Sequence, residues 1–411
     1  MMSWPPHMAP FLWGVATSSH QVEGNNDNDW TEWEACGHVP DRSGASCLHY
    51  EKYNQDLDLI AQVGVNAYRY SVEWSRIEPE PGQFNPDALD HYRAMTESVI
   101  RHHLEPVITL HHFTLPKWFA RQGGFFHPRA PWYFERYVQQ VLATLGDLAR
   151  FYITINEPMV YAVMGYGTGQ WPPGHKSLKE LWQIAPRLLA CHRQAYHQIK
   201  LRRSDAMVGI AHHLLAFEPY NEYSWLDRQN ARILHYLFNH RFIQWAQNTQ
   251  DFIGVNYYTR QYARHRHFLV PVMHKPGHLL TDMGWEIYPD GLEKILVALK
   301  RFDKPLLITE NGIATTNDGV RQQFLLDHLT AVSRAQNQGV MVRGYFYWSA
   351  LDNFEWAEGF RPRFGLIRVD YDTQQRSMQE SAALYRSIID ANRDHWPLNV
   401  PPKPEQRVFG L

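Results

Sequence analysis

Short apolar runs rich in β-branched and aromatic residues recur along the chain, at 11–17, 67–72, 106–112, 151–157, 208–214, 252–258, 306–311 and 343–349. Runs of this length and composition predict strands. Between them the apolar positions follow helical spacing. Tyr53, Leu57, Ile60, Ala61 and Gly64 share one face, as do Leu292, Ile295, Leu296, Leu299 and Phe302. Leu384, Tyr385, Ile388 and Ile389 repeat the pattern near the C-terminus. Pro106 and Pro305 stand where two strand runs begin, a position at which a missing N–H costs little.

Eight strands alternating with helices predict an α/β protein, a single (β/α)8 TIM barrel covering 1–411. A length of 411 residues would by the usual rule of thumb allow two or three domains. No linker or low-complexity tract marks a boundary, however, and α/β barrels run long as one domain. A doubly wound sheet is the alternative, but no Gly-x-Gly-x-x-Gly follows the first strand and no phosphate-binding loop occurs. The Pro-rich stretch 397–404 reads as an extended strap.

Composition narrows the class. Forty Lys+Arg against 42 Asp+Glu give a formal net charge of −2, which offers no basic surplus to a nucleic acid. The aromatic share is 14%, with 15 Trp and 22 Tyr, and flat rings suit the C–H faces of sugars as well as cores. Cys36, Cys47 and Cys191 are too few for a disulfide framework. They read as free thiols in a reducing compartment, with a Cys36–Cys47 bridge left open. The first residues lack a basic stretch followed by an apolar run, and no 18 apolar residues run together. The expectation is a cytoplasmic enzyme that neither spans nor binds a membrane, of open oligomeric state.

In a barrel of this kind chemistry sits where strands end. The expected strand ends carry Arg69, Glu73, His111, His112, Asn156, Glu157, His212, His213, Asn256, Tyr258, Glu310, Asn311 and Trp348. Polar groups crowded onto otherwise apolar strands are costly unless they do something. Glu157 closes the fourth run in TINEP and Glu310 the seventh in ITENG. Two carboxylates facing each other across a barrel mouth are what glycoside hydrolysis needs: one protonates the leaving oxygen, the other attacks the anomeric carbon or activates water.

TINEP and ITENG resemble the motifs of the family 1 glycoside hydrolases, the β-glucosidase-like retaining enzymes. FLWGVATSSHQVEG, YRYSVEWSRIEPEPG, TLHHFTLPKW, FIGVNYYTR, TDMGWEIYPDGL and YFYWSALDNFEWAEGFRPRFGLI follow that family's signatures in order over nearly the full chain. The resemblance implies a metal-free, cofactor-free exo-β-glycosidase whose partner is a small β-glycoside. It makes Glu157 the general acid/base and Glu310 the nucleophile. It makes Arg69, Asn156, Asn256 and Tyr258 their support, Asn156 holding the sugar's 2-hydroxyl. Gln21, His112, Trp348, Glu355, Trp356 and Phe364 become the sugar pocket.

A retaining pair stands about 5 Å apart. At an effective dielectric near 20, two charges at that distance repel by about 3 kcal/mol, so one carboxyl stays protonated near neutrality. Arg69 and Tyr258 favour the charged form of Glu310, and Glu157 is then expected to carry the raised pKa.

The sequence departs from the family at four places. Phe113 and Thr114 replace a common Trp-Asp, His20 a common Tyr, and Leu48 a common Asp. The connection 214–251 is short and lacks the usual Gly-x-Tyr-Pro turn. Its shortness predicts a low wall on the aglycone side.

Three rivals remain. A metal-dependent hydrolase could draw on His102-His103, His111-His112, His212-His213 and His265-x-His267, but adjacent strand residues face opposite ways and no complete ligand set appears. A 6-phospho-β-glycosidase would need a cation where Glu355 and Trp356 stand. A non-catalytic sugar-binding relative would have lost a catalytic Glu, and both are present.

Overall fold

Eight strands pair in chain order, all parallel, and close on themselves: β1 (Leu12–Ala16), β2 (Ala67–Ser71), β3 (Glu105–Thr109), β4 (Phe151–Asn156), β5 (Met207–Pro219), β6 (Phe252–Ala263), β7 (Leu306–Asn311) and β8 (Val342–Trp348). Leu12↔Gly344 through Ala16↔Trp348 make the closing seam. The computed structural model describes residues 11–268, 270–393, 395 and 397–400. The barrel expected from the alternation of elements is therefore the fold.

Side-chain alternation along each strand separates two cores. Leu12, Val107, Phe151, Ile153, Phe252, Leu307 and Phe346 belong to one buried cluster, the barrel filling. Trp13, Val15, Tyr68, Tyr70, Ile108 and Ile155 belong to a larger one shared with the surrounding helices. Glycines make room for the large rings inside. A Cβ on Gly14 would strike the ring of Phe346, its partner in the seam, and one on Gly209 would meet Phe252 at 2.6 Å.

The helices at His49–Gln62, Pro289–Leu299 and Glu380–Ala391 bury the faces their spacing predicts, including Leu57 and Ile60, Leu292 and Ile295, and Tyr385 and Ile388. Tyr385 also donates through its hydroxyl to the Gly14 carbonyl at 3.1 Å, tying the last helix to β1.

Three features differ from the sequence expectation. β5 and β6 run past 214 and 258 and stay paired from Ala216↔Arg260 to Pro219↔Ala263, forming a ribbon that rises from the barrel mouth. Half-buried polar residues such as Glu218, Arg260 and Gln261 interrupt their outer parts, so no continuous apolar run marks them. β3 ends at Thr109, which leaves His111 and His112 in the loop beyond it. A small hairpin, β9 (Ile367–Val369) with β10 (Arg376–Met378), was not expected. Cys36, Cys47 and Cys191 are free thiols, as expected, and with Cys36 exposed and Cys47 buried the bridge left open between them does not form.

Of the strap at 397–404, residues 401–404 lie outside the described residues. Leu398 is buried, and its N–H donates to Gln336 Oε1 at 2.9 Å. Among the described residues no helix is long and apolar enough to cross a membrane.

Candidate active site

Glu157 follows the last residue of β4 and precedes Pro158, the first residue of the helix Pro158–Ala162. The residue before a proline is excluded from the right-handed helical region. Glu157 instead takes φ 46° and ψ 58°, a left-handed conformation that costs a non-glycine residue about 1–3 kcal/mol. The turn is held by its N–H, which donates to the Ala211 carbonyl at 2.7 Å. Its side chain is gripped at one oxygen. Asn256 Nδ2 donates to Glu157 Oε1 at 2.8 Å, and His213 Nδ1 lies 3.2 Å from the same atom.

Glu310 sits within β7 and is buried. Arg69 Nη1 donates to its Oε1 at 2.6 Å and the Tyr258 hydroxyl to its Oε2 at 2.6 Å, so both oxygens are occupied. The arginine has no exposed surface. Its remaining donors go to the Thr309 carbonyl at 2.9 Å, Thr109 Oγ1 at 3.1 Å and Asn156 Oδ1 at 2.7 Å. Asn256 links the two carboxylates, donating to Asn156 Oδ1 at 3.1 Å as well as to Glu157 and accepting from Thr309 Oγ1 at 2.6 Å. Strands β2, β4, β6 and β7 thus meet in one hydrogen-bonded array at the barrel's C-terminal mouth.

Burial is the largest influence on Glu310 and raises its pKa. Arg69 opposes it, the charge of Glu157 adds to it, and the Tyr258 hydrogen bond opposes again, leaving the carboxyl pushed up to about 7. The upward shift appears on Glu310. The reason is desolvation, which the salt bridge only partly offsets. Two interacting carboxyls titrate together, so the raised affinity belongs to the pair, which holds a proton to higher pH than an isolated carboxyl does.

The sugar-pocket candidates converge on the same mouth. Gln21 Nε2 and Asn353 Nδ2 donate to Glu355 Oε2 at 3.1 and 2.8 Å. Burial, with the charges of Glu310 and Glu157, pushes the Glu355 carboxyl up to about 8 against those two donors. His112 Nε2 is 3.2 Å from Asn156 Nδ2, and its ring stacks on Trp348 at 5.8 Å and on Trp356 at 6.1 Å. Burial first, then the charge of Arg69, hold His112 well below the ordinary histidine pKa and hence neutral. Phe364 packs edge-on against Tyr258 at 6.2 Å.

Every candidate catalytic and pocket residue named from the sequence lies in this cluster. Sequence reasoning missed Asn353, Thr309 and Trp171, and gave His213 no role at the carboxylates. Trp171 packs against Phe113 at 4.8 Å and Trp356 at 5.8 Å. It comes from a loop with no strand pattern to flag it. His213 was visible only as half of a histidine pair. The pairs do split by face. His212 Nε2 meets Gln250 Oε1 at 3.4 Å while His213 reaches Glu157, and His111 packs on Phe125 and Tyr161 while His112 faces the pocket. Among the described residues no group of three or more His, Cys, Asp or Glu is placed to hold a metal ion.

The "Glycosyl hydrolase family 1" model matches residues 5–244 and 234–394 of the chain. Beta-glucosidase A of Acetivibrio thermocellus is 31% identical over 437 residues, covering 93% of this chain and 98% of that protein. Among solved structures, a beta-glycosidase from Pyrococcus horikoshii superposes with a TM-score of 0.87 at 41% identity, over 92% of this chain and 93% of that one. A family 1 b-glucosidase from Thermotoga maritima in complex with isofagomine lactam gives 0.88 at 30% identity, over 92% and 97%.

Proposed function

The chain belongs to glycosyl hydrolase family 1, and from that premise we propose that it is a retaining exo-β-glycosidase with Glu310 as nucleophile and Glu157 as acid/base. It is a glycoside hydrolase; the proposal concerns its sugar and its residues. The substrate is a terminal β-glucosyl residue, with β-galactosyl and β-fucosyl as further candidates, on a small glycoside or short oligosaccharide. The solved Thermotoga maritima relative is in complex with isofagomine lactam, which supports a small sugar-like ligand here.

The observation that carries the reading is the unequal treatment of the two carboxylates. Glu310 has both oxygens fixed by Arg69 and Tyr258, as a nucleophile aimed at one carbon requires. Glu157 is held by one oxygen and has the other open for a proton. In the first step Glu310 attacks the anomeric carbon, the bond to the leaving oxygen breaks, and Glu157 gives that oxygen its proton. The ester on Glu310 carries no charge, so Glu157 then loses its proton more readily and serves as base to water. Asn156, oriented by Arg69, is positioned for the sugar's 2-hydroxyl. Glu355, Gln21, Trp348, Trp356, His112 and Phe364 form the glycone pocket, where a carboxyl can grip two adjacent hydroxyls. The three free thiols fit a reducing compartment, and we place the enzyme in the cytoplasm on that ground.

A panel of nitrophenyl glycosides differing only in the sugar tests the reading. Hydrolysis of the β-glucoside with retained configuration, absent in Glu310→Gln, is expected. An inverted product, or turnover in Glu310→Gln within about tenfold of the parent, would remove the nucleophile from its role.

A further inference from the structure

His213 and Asn256 are register partners on β5 and β6, and both side chains reach Glu157 Oε1. Glu157 Oε2 takes no hydrogen bond from the described residues, so the two neighbours fix one oxygen and leave the other to the substrate. Their chemistry differs, however. The amide nitrogen of Asn256 donates but takes up no proton near neutrality, whereas an imidazole can also be protonated. The His213 ring lies parallel to Tyr258, 22° apart with centroids at 6.0 Å, and its side chain is 17% exposed. It is thus held in place with an edge still open to solvent.

We propose that His213 is a positioning residue and proton reservoir for the acid/base, a role that rests on the glycosidase reading above. One proton has two places. It sits on Glu157 Oε2 with His213 neutral, or on the imidazole with Glu157 ionised. In both states the Nδ1–H donates to Oε1, so the geometry does not change. Two sites sharing one proton hold it to higher pH than either site alone.

The surrounding charges favour this sharing. The titratable groups that bear on His213 are Glu157 beyond β4, Glu310 on β7 and the stacked Tyr258 on β6. Burial lowers the histidine's pKa, but the charge and hydrogen bond of Glu157, with the charge of Glu310, outweigh it and raise the net value. Tyr258 itself is held well above the ordinary phenol range, chiefly by burial and then by Glu310, and stays neutral. When Glu157 delivers its proton to the leaving oxygen, that proton ends on the released alcohol. In the second step Glu157 takes one from water, so the count in the site is restored.

The test is the pH profile of kcat/KM on an aryl β-glucoside. His213→Asn retains a donor to Oε1 but cannot store a proton, so its basic limb should move to lower pH by about half a unit or more. His213→Phe retains the stack on Tyr258 and should show the same displacement with a lower plateau. A basic limb that stays in place or moves upward in either variant overturns the inference.

Carbon-13 NMR titration of His213 in the parent and in Glu157→Gln needs no turnover. The histidine should titrate at lower pH once the carboxylate is gone, and an unchanged midpoint overturns the inference. The two readings fail separately. A parent that cleaves no β-glycoside defeats the glycosidase reading, and the NMR titration still decides on the shared proton.

Discussion

Arg69, with no surface exposed, donates from Nη1 to Glu310 Oε1 at 2.6 Å. The same guanidinium reaches Asn156 with Nη2, so one buried cation orients both the proposed nucleophile and the residue proposed for the sugar's 2-hydroxyl. A lysine retains the charge but not the fork. Arg69→Lys should lose about 2 kcal/mol of transition-state stabilisation, roughly a 30-fold fall in kcat/KM, from one charge-assisted hydrogen bond. Arg69→Met should also destabilise the fold, because a buried Glu310 is left without its cation. Steady-state kinetics and thermal melts of the two variants check this.

Glu157 should reveal itself through the leaving group. Glu157→Ala should nearly abolish cleavage of alkyl glycosides and cellobiose, whose leaving oxygens need a proton. A dinitrophenyl glycoside should lose much less in bond cleavage, and the ester on Glu310 should accumulate. Azide should then restore turnover and yield a β-glycosyl azide, because two displacements at one carbon preserve configuration. An α-azide in the product analysis would contradict the retaining pathway.

Glu355 makes stability depend on pH. Its pKa is raised to about 8 in the folded state, mainly by burial, so the fold prefers it protonated. The resulting stabilisation is full below the unfolded carboxyl's pKa and is lost as pH rises toward 8. Glu355→Gln removes the loss. The melting temperature of the variant relative to the parent should climb between pH 5 and pH 8.5, and a flat difference would contradict the assignment.

The barrel filling can be tested at its seam. Gly14→Ala places a methyl against the Phe346 ring on the neighbouring strand. Overpacking of this kind costs about 1–3 kcal/mol. Gly14→Ala/Phe346→Leu should recover part of it in denaturant titrations, since the smaller side chain reopens the space.

The shortened 214–251 segment carries a prediction for the aglycone. It folds as the β5 extension and the helices Trp225–Leu234 and Arg241–Ala246, joined by the π-helical stretch His235–His240. We expect it to leave that side of the cleft open. Bulky aglycones should therefore be cleaved with KM values within about tenfold of the nitrophenyl glucoside.

Strand positions were legible because each of the eight runs is apolar on both faces, one toward the barrel filling and one toward the helices. Where a strand leaves the barrel that signal stops, which is why the outer halves of β5 and β6 went unread. The carboxylates were legible because polar residues at strand ends are rare without a purpose. The balance between them was not. Which of Glu157 and Glu310 is more desolvated, and that His213 joins Asn256 at Glu157, depends on burial and on neighbours from other strands. Trp171 and Asn353 escaped for the same reason, since each reaches the site from a loop whose path only the folded chain defines.

Peptide mapping after inactivation by a 2-deoxy-2-fluoro-β-glucoside tests the central claim most directly. The fluorine slows both steps and an activated leaving group such as dinitrophenolate restores the first, so the covalent intermediate accumulates. The account predicts a single label on Glu310, in the peptide containing Ile308-Thr309-Glu310-Asn311, and no label in Glu310→Gln. A label on Glu157 or any other residue, or full inactivation without a covalent adduct, would contradict it.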